Sequence, residues 1–332
     1  MRPDDLVAIT PAGLHCAAGG FHVDPWGSAD LAIITHAHAD HARPVARSYL
    51  CAEACVPLLR RRLGPEASIR GVPYGERLRI GSATVSLHPA GHVLGSAQVR
   101  IEESGRVFVV SGDYKRAPDP TCAPFEVVRC DVFVTEATFG LPIYRWEEPS
   151  VVAAEIHDWW RANPGRPSVL FAYALGKAQR ILAELAPLTD RPVLTHGAVE
   201  SLVRLYREAG IPMLRTEPLA EAPRKRDLAG ALILAPPSAR ATPWMRRLAS
   251  AETAMASGWM RVRGPRRRQG YDRGFALSDH ADWPALLRTI EETGARRVLA
   301  THGYAEELAR FLGERGFEAE ALATSFEGEA DA

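Results

Sequence analysis

The chain has 332 residues, 46% of them hydrophobic and 24% charged, with 40 basic and 40 acidic side chains. These proportions exclude a collagen, a coiled-coil rod or a largely disordered chain, and at ~150 residues per domain the length suggests about two domains. Zero net charge excludes a globally basic nucleic-acid binder, though not a local basic face. No apolar run approaches the ~18 residues that span a bilayer, and the opening MRPDDLVAIT lacks the apolar core of a secretory signal, so a cytoplasmic protein is expected. Five cysteines read as small buried thiols of a reducing compartment; the CAEAC step of Cys51 and Cys55 has no second cysteine pair to complete a zinc site.

In chain order, the first stretch reads as short strands and turns. Leu31 to Thr35 is an apolar strand, and Arg43 to Leu63 is expected to be helical, broken or restarted at Pro57. Ala83 to His88 alternates as a half-buried strand, Gln98–Glu102 and Arg106–Ser111 flank a hairpin turn at Ser104 and Gly105, and Val132 to Thr135 is a buried strand. The middle then alternates. Helices are predicted over Ser150–Ala162, Lys177–Leu185 and Val199–Ala209, and strands over Ser168–Ala172, Val193–Thr195 and Ala231–Ala235, the pattern of a parallel α/β layer. The end returns to a helix at Trp283–Thr293, a strand at Arg297–Ala300 and a helix at Ala305–Arg315, and the acidic EGEADA terminus is expected to fray. The domain division expected is therefore 1–141 with 271–332, interrupted by an inserted 142–270.

The chemistry concentrates at strand ends. THAHADH places His36, His38, Asp40 and His41 within six residues, directly after a buried strand. Imidazole nitrogens and carboxylate oxygens bind zinc- and manganese-type cations, and so short a segment serves two adjacent ions more easily than one, with His36 and His38 on one and Asp40 and His41 on the other. Further candidates follow other strands: His92 in HPAGHVLGSA, Asp113 in SGDYKR, Glu136 in TEATFG, His280 in SDHADW and His302 in THGYAE. Together they describe a metal pocket at a strand edge. Either Glu136 or one of Asp279 and Asp282 could pair with His280. His196, in a second THG, competes with His302.

HAHADH, AGHVLGSA and SGDYKR resemble the metallo-β-lactamase fold, and TEATFG, SDHADW and THG resemble the extra motifs of its β-CASP branch, nucleases of DNA and RNA. The opening GLHCAAGGFHVDPWGSADLAIITHAHADHARP is most similar to the bacterial ligase-associated DNA exonuclease family. The resemblance is firmest over 13–140 and 257–305; within the central stretch only FAYALGKAQR and ASGWM match. It implies an α/β fold, an αββα sandwich with an inserted β-CASP domain. It implies two divalent ions, zinc or manganese: His36, His38 and His92 on one, Asp40, His41 and His302 on the other, with Asp113 bridging. Asp40, Asp113, Glu136 and His280 then carry the catalysis, with His280 as general acid paired to Glu136, and Asp24 orients the ligand loop. The activity implied is a DNA exonuclease in DNA repair, functionally associated with an ATP-dependent DNA ligase and a helicase, and not with a membrane.

The inserted domain is expected to form one wall of a substrate groove. Lys177 and Arg180 at a helix start suit phosphate. Ser257 and Gly258 match a family turn whose backbone could contact phosphate, while Trp259 either stacks on a base or packs in the core. Arg261, Arg263, Arg266, Arg267, Arg268 and Arg273 form a local basic track. The runs Arg60-Arg61-Arg62 and Arg224-Lys225-Arg226 read as solvated faces. One rival is an RNA-processing nuclease of the same branch, although RNase J relatives carry a further C-terminal domain and this chain ends about 30 residues after His302. Another is a small-molecule metallo-hydrolase, which would lack Glu136, His280 and the insertion.

Overall fold

The structure is a computed structural model that describes residues 5–221, 227–240, 242–262 and 270–324. The Arg224-Lys225-Arg226 run, Arg263, Arg266, Arg267 and Arg268 of the basic track, and the EGEADA terminus lie outside the described residues. The chain divides into two compact units. One runs to Arg145 and resumes at His280; the other is Trp146–Asp279.

The first unit begins with β1 (Ala8–Thr10), β2 (Gly13–Cys16), β3 (Phe21–Val23), β4 (Ala29–Ile33), β5 (Ala46–Ala52), helix α1 (Val56–Leu63) and β6 (Ile69–Val72). These strands make one sheet in sequence order, antiparallel across β1–β3 and parallel across β3–β6. The expected helix over Arg43–Leu63 is therefore half wrong: its first part is β5. Tyr49 to Ala52 are all buried, because a strand between two parallel neighbours is covered on both faces. Such a continuous apolar run carries no period that separates strand from helix. Pro57 sits in the first turn of α1, where its missing N–H breaks no helical bond.

Next come β7 (Leu78–Ile80), β8 (Ala83–Pro89), β9 (Ala97–Glu103), β10 (Arg106–Val110) and β11 (Val132–Glu136). The second unit contributes α2 (Pro149–Arg161), β12 (Ser168–Phe171), α3 (Lys177–Leu185), β13 (Val193–Thr195), α4 (Gly197–Glu208), β14 (Thr216–Pro218), β15 (Leu232–Ala235), β16 (Glu252–Ala256) and β17 (Arg273–Phe275). The chain then returns through α5 (Trp283–Thr293), β18 (Arg297–Thr301), α6 (Ala305–Glu314) and β19 (Glu318–Ala321) to finish the first unit.

The first unit's second sheet has the order β19-β18-β11-β10-β9-β8-β7, antiparallel from β7 to β10 and parallel from β10 to β19. Trp283, Leu286 and Ile290 of α5 and Leu308 and Leu312 of α6 pack on its Phe133, Val298 and Ala300. The second unit is a six-stranded parallel sheet, β14-β13-β15-β12-β16-β17. Helices α2, α3 and α4 cover one face through Ile156, Trp160, Leu182 and Val203; Leu248, Met255 and Met260 fill the other. The units meet in the chain at 145/146 and 279/280, beyond the expected 141/142 and 270/271. The reason is local: Tyr144 packs on Phe139 in the first unit, and β17 pairs with β16 in the second. Among the described residues no helix is long and apolar enough to cross a membrane.

Leu170 lies fully buried in β12, between β15 and β16. Truncation to alanine removes apolar contacts and leaves a cavity, so L170A should cost about 2–5 kcal/mol. A lowered urea midpoint checks this, and an unchanged midpoint would contradict the packing.

Candidate metal centre

The candidate ligands stand where parallel strands end. His36–His41 follow β4, Asp113 follows β10, Glu136 closes β11 and His302 follows β18. The β11–β18 register pairs Glu136 with Thr301, which places His302 one residue beyond that pair. The Ala97 amide donates to the Thr35 carbonyl at 2.8 Å, joining the end of the first sheet to β9 of the second. Gly112 has φ 56°, and a Cβ there would lie 2.6 Å from Thr35 Oγ1, so only glycine lets Asp113 follow so close to the ligand loop.

Two clusters result. His36, His38, His92 and Asp113 are all buried and offer one ligand atom each, mutually within 4.8 Å. His38 Nδ1 lies 3.1 Å from both His36 Nε2 and His92 Nε2. Asp113 Oδ2 is 3.5 Å from His36 Nε2 and 3.8 Å from His92 Nε2. The second cluster is Asp40, His41 and His302. The His41 and His302 rings stack with centroids 5.2 Å apart, and His41 Nε2 lies 3.7 Å from Asp40 Oδ2 and 3.6 Å from Asp113 Oδ2. Asp113 thus faces histidines of both clusters.

Asp24 stands behind. Its carboxylate accepts from the Thr35 amide at 2.8 Å and the Thr35 hydroxyl at 2.6 Å, and contacts His41 Nδ1 at 2.7 Å. This fixes the His41 ring with Nε2 forward. Thr301 Oγ1 lies 2.7 Å from His302 Nδ1 and holds that ring likewise. Among the described residues, positive φ outside glycine occurs only at Asp24, Ser104 and His302. Ser104 sits in the β9–β10 turn; the other two carry left-handed backbone into the centre, at a cost of about 1–3 kcal/mol each.

A third group joins Asp113, Glu136 and His280. His280 Nδ1 is 2.9 Å from Glu136 Oε2, and the Tyr114 amide donates to Glu136 Oε1 at 2.7 Å. The alternatives for His280 are otherwise engaged. Asp282 caps α5 by accepting from the Ala285 amide, and Asp279 is ion-paired within the second unit.

Burial and neighbouring imidazoles push His36 well below the ordinary histidine range, and burial with His41 does the same to His302. Both are therefore neutral, with lone pairs available to a cation. Burial also pulls His41 down, but Asp40, Asp113 and Asp24 overcome it and raise its pKa to about 10. Burial lifts Asp113 to about 7. The carboxylates that hold a proton on His41 would hold a metal cation in its place. The residues fit such ions on a second ground: Asp40 Oδ1 and Asp113 Oδ1 are buried with no hydrogen bond, a costly arrangement that a cation would relieve. His/carboxylate donors suit zinc or manganese.

The other expected site residues belong to the second unit. Lys177 and Arg180, expected at the surface of a helix start, are buried instead. Lys177 Nζ lies 3.1 Å from Asp279 Oδ2; Arg180 Nη1 lies 3.2 Å from Asp279 Oδ1 and donates to the Ser278 carbonyl at 2.6 Å. Ser257 is buried and caps the short turn Gly258–Arg261, and Trp259 packs against the apolar face of that sheet. Arg261 lies 3.4 Å from Glu147. His196 caps α4 by accepting from the Ala198 amide, whereas His302 stands with His41. No cysteine joins a metal-capable group among the described residues. Sequence reasoning missed Thr35, which contacts Asp24, lies 3.0 Å from His36 Nδ1 and opens the THAHADH motif.

Asp24→Ala removes the group that orients His41 and should lower metal affinity about 10- to 100-fold without unfolding the protein. Metal content after dialysis against a graded chelator, with circular dichroism as control, checks this.

No protein-family profile matches the chain. It is 34% identical over 318 residues to a probable DNA ligase of Opitutus terrae, covering 93% of this chain and 30% of that protein. It is 30% identical over 194 residues to a ribonuclease of Thermus thermophilus, covering 49% of this chain and 44% of the relative. The chain therefore spans less than half the length of these curated relatives. A solved structure of a protein of unknown function from Enterococcus faecalis superposes with a TM-score of 0.62 at 12% identity, covering 89% of this chain and 79% of that one. The paired sheets and their interrupting parallel layer are thus an α/β metallo-β-lactamase αββα sandwich with an inserted β-CASP domain.

Proposed function

We propose that the protein is a two-metal phosphodiesterase of the β-CASP branch, acting on DNA as an exonuclease in repair. The observation that carries this reading is the position of Asp113, whose Oδ2 lies 3.5 Å from His36, 3.8 Å from His92 and 3.6 Å from His41, within reach of both clusters, and which also joins the Glu136–His280 group. In this reading His36, His38 and His92 would hold one divalent ion and Asp40, His41 and His302 the other, with Asp113 available to both. Ions held there would offset the charge of a phosphodiester, lower the pKa of water and align attacking and leaving oxygens.

The chain's own residues do the rest. Asp24 and Thr301 hold the His41 and His302 rings, so that reorganisation during the reaction is small. Glu136, fixed by the Tyr114 amide, holds His280 through Nδ1. His280 Nε2 is then the atom that donates a proton to the leaving oxygen.

The DNA reading draws support from the relative named a probable DNA ligase, whose alignment takes in most of this chain. It also motivates functional association with an ATP-dependent DNA ligase; association with a helicase rests on the family resemblance. RNA processing is the second reading, favoured by the relative named a ribonuclease. A small-molecule hydrolase accounts for neither the Glu136–His280 pair nor the inserted unit.

Purified protein with manganese or zinc should degrade end-labelled DNA, single- or double-stranded, and lose activity to a chelator. Equal or faster digestion of RNA would defeat the DNA assignment. Asp113→Ala should reduce cleavage to background. His280→Ala should lower kcat about 10²- to 10⁴-fold with metal content unchanged; loss of metal in that variant would make His280 a ligand instead.

A further inference from the structure

Helix α1 ends on Arg60, Arg61 and Arg62. Arg60 and Arg61 are exposed, as a solvated face requires, but Arg62 is half-buried and directed elsewhere. Its Nε donates to the Ala37 carbonyl at 3.2 Å. Ala37 lies between His36 and His38, so the guanidinium is anchored on the ligand loop rather than on its own helix terminus. That bond uses one of five N–H donors. Among the described residues, Nη1 and Nη2 meet neither a hydrogen-bond acceptor nor a carboxylate at ion-pair distance. Burial lowers the Arg62 pKa and the field of Asp40 opposes that, which places the side chain within electrostatic reach of the second cluster.

We propose that Arg62 is a substrate-binding residue whose Nη1/Nη2 edge takes the non-bridging oxygens of a nucleic-acid phosphate at the metal centre. The inference rests on the phosphodiesterase reading and deepens it. A guanidinium fixed through Nε presents a planar pair of donors spaced to match two phosphate oxygens. Anchoring removes much of the side-chain entropy that such a contact otherwise loses. The basic residues first expected in this role, Lys177 and Arg180, are instead paired with Asp279.

The test compares wild type, Arg62→Ala, Arg62→Gln and Arg62→Lys, all metal-loaded. Binding of a fluorescent phosphorothioate single-stranded oligonucleotide is followed by anisotropy across a salt series, alongside KM, kcat and metal content. Arg62→Ala and Arg62→Gln should weaken binding and raise KM about 10- to 100-fold, the range of a charge-assisted hydrogen bond. They should also reduce the salt slope by about 0.7, one phosphate contact, with metal content unchanged. Arg62→Lys should keep the salt slope and recover part of the affinity. Unchanged affinity in Arg62→Ala, or weaker binding that tracks lost metal at an unchanged slope, overturns the proposal and leaves Arg62 as a tether of the loop. Wild-type protein that neither binds nor cleaves DNA or RNA overturns the nuclease reading itself, a result separable from an active wild type with an indifferent Arg62→Ala.

Discussion

The structure turns on one electrostatic constraint: several imidazoles and four carboxylates share a pocket from which water is largely excluded. In that setting each polar atom needs a partner, and like charges cannot all persist. His41 is where the constraint is met. Asp24 grips its Nδ1 from behind, while Asp40 and Asp113 face its Nε2. The net attraction keeps a cationic ring where burial alone would strip the proton. His36 and His302 are driven neutral by burial and by the neighbouring imidazoles. The pocket is thus arranged for positive charge at its middle and lone pairs around it.

That arrangement sets demands on the backbone. Ligands must arrive from β4, β10, β11 and β18, and from the segments after β8 and before α5, within a few ångströms of one another. Parallel strands release their chains along one edge, which supplies most of this convergence. The remainder comes from strained joints. Asp24 and His302 adopt left-handed backbone, and Gly112 allows the Asp113 loop to pass against Thr35. Such joints persist only where surrounding contacts over-determine them. Here the contacts are the Asp24–Thr35 bonds and the Thr301–His302 pair.

The second unit shows the same economy of charge in a different use. Asp279 closes that unit in the chain, and its carboxylate is shared by Lys177 and Arg180 from α3. These cations hold an internal segment, and His280 follows it directly. The phosphate-binding reading of the helix start therefore gives way to an anchoring one. Arg62 runs the other way: a residue in a run that looks solvated is drawn onto the ligand loop.

Much of the centre was legible in the linear chain. The His36–His41 cluster, Asp113, Glu136 and His302 each stand just after or at the end of an apolar strand, and short strands are readable from composition and turns; His280 instead stands in the segment between β17 and α5. The helices at Lys177–Leu185 and Trp283–Thr293 were legible for the same reason, apolar spacing with clear start signals. What failed was the first half of Arg43–Leu63, where an apolar run buried on both faces has no distinguishing period, and the short strands β14, β16, β17 and β19, whose few residues carry little pattern. By itself, the order of residues determined which side chains are chemically able to bind cations and that strand ends would present them. Tertiary structure alone decided which carboxylate serves His280, which THG histidine joins His41, and that Lys177 and Arg180 are occupied while Arg62 keeps donors to spare. Those outcomes depend on through-space distances between residues more than a hundred positions apart, or between helix and loop, and local pattern holds no information about them.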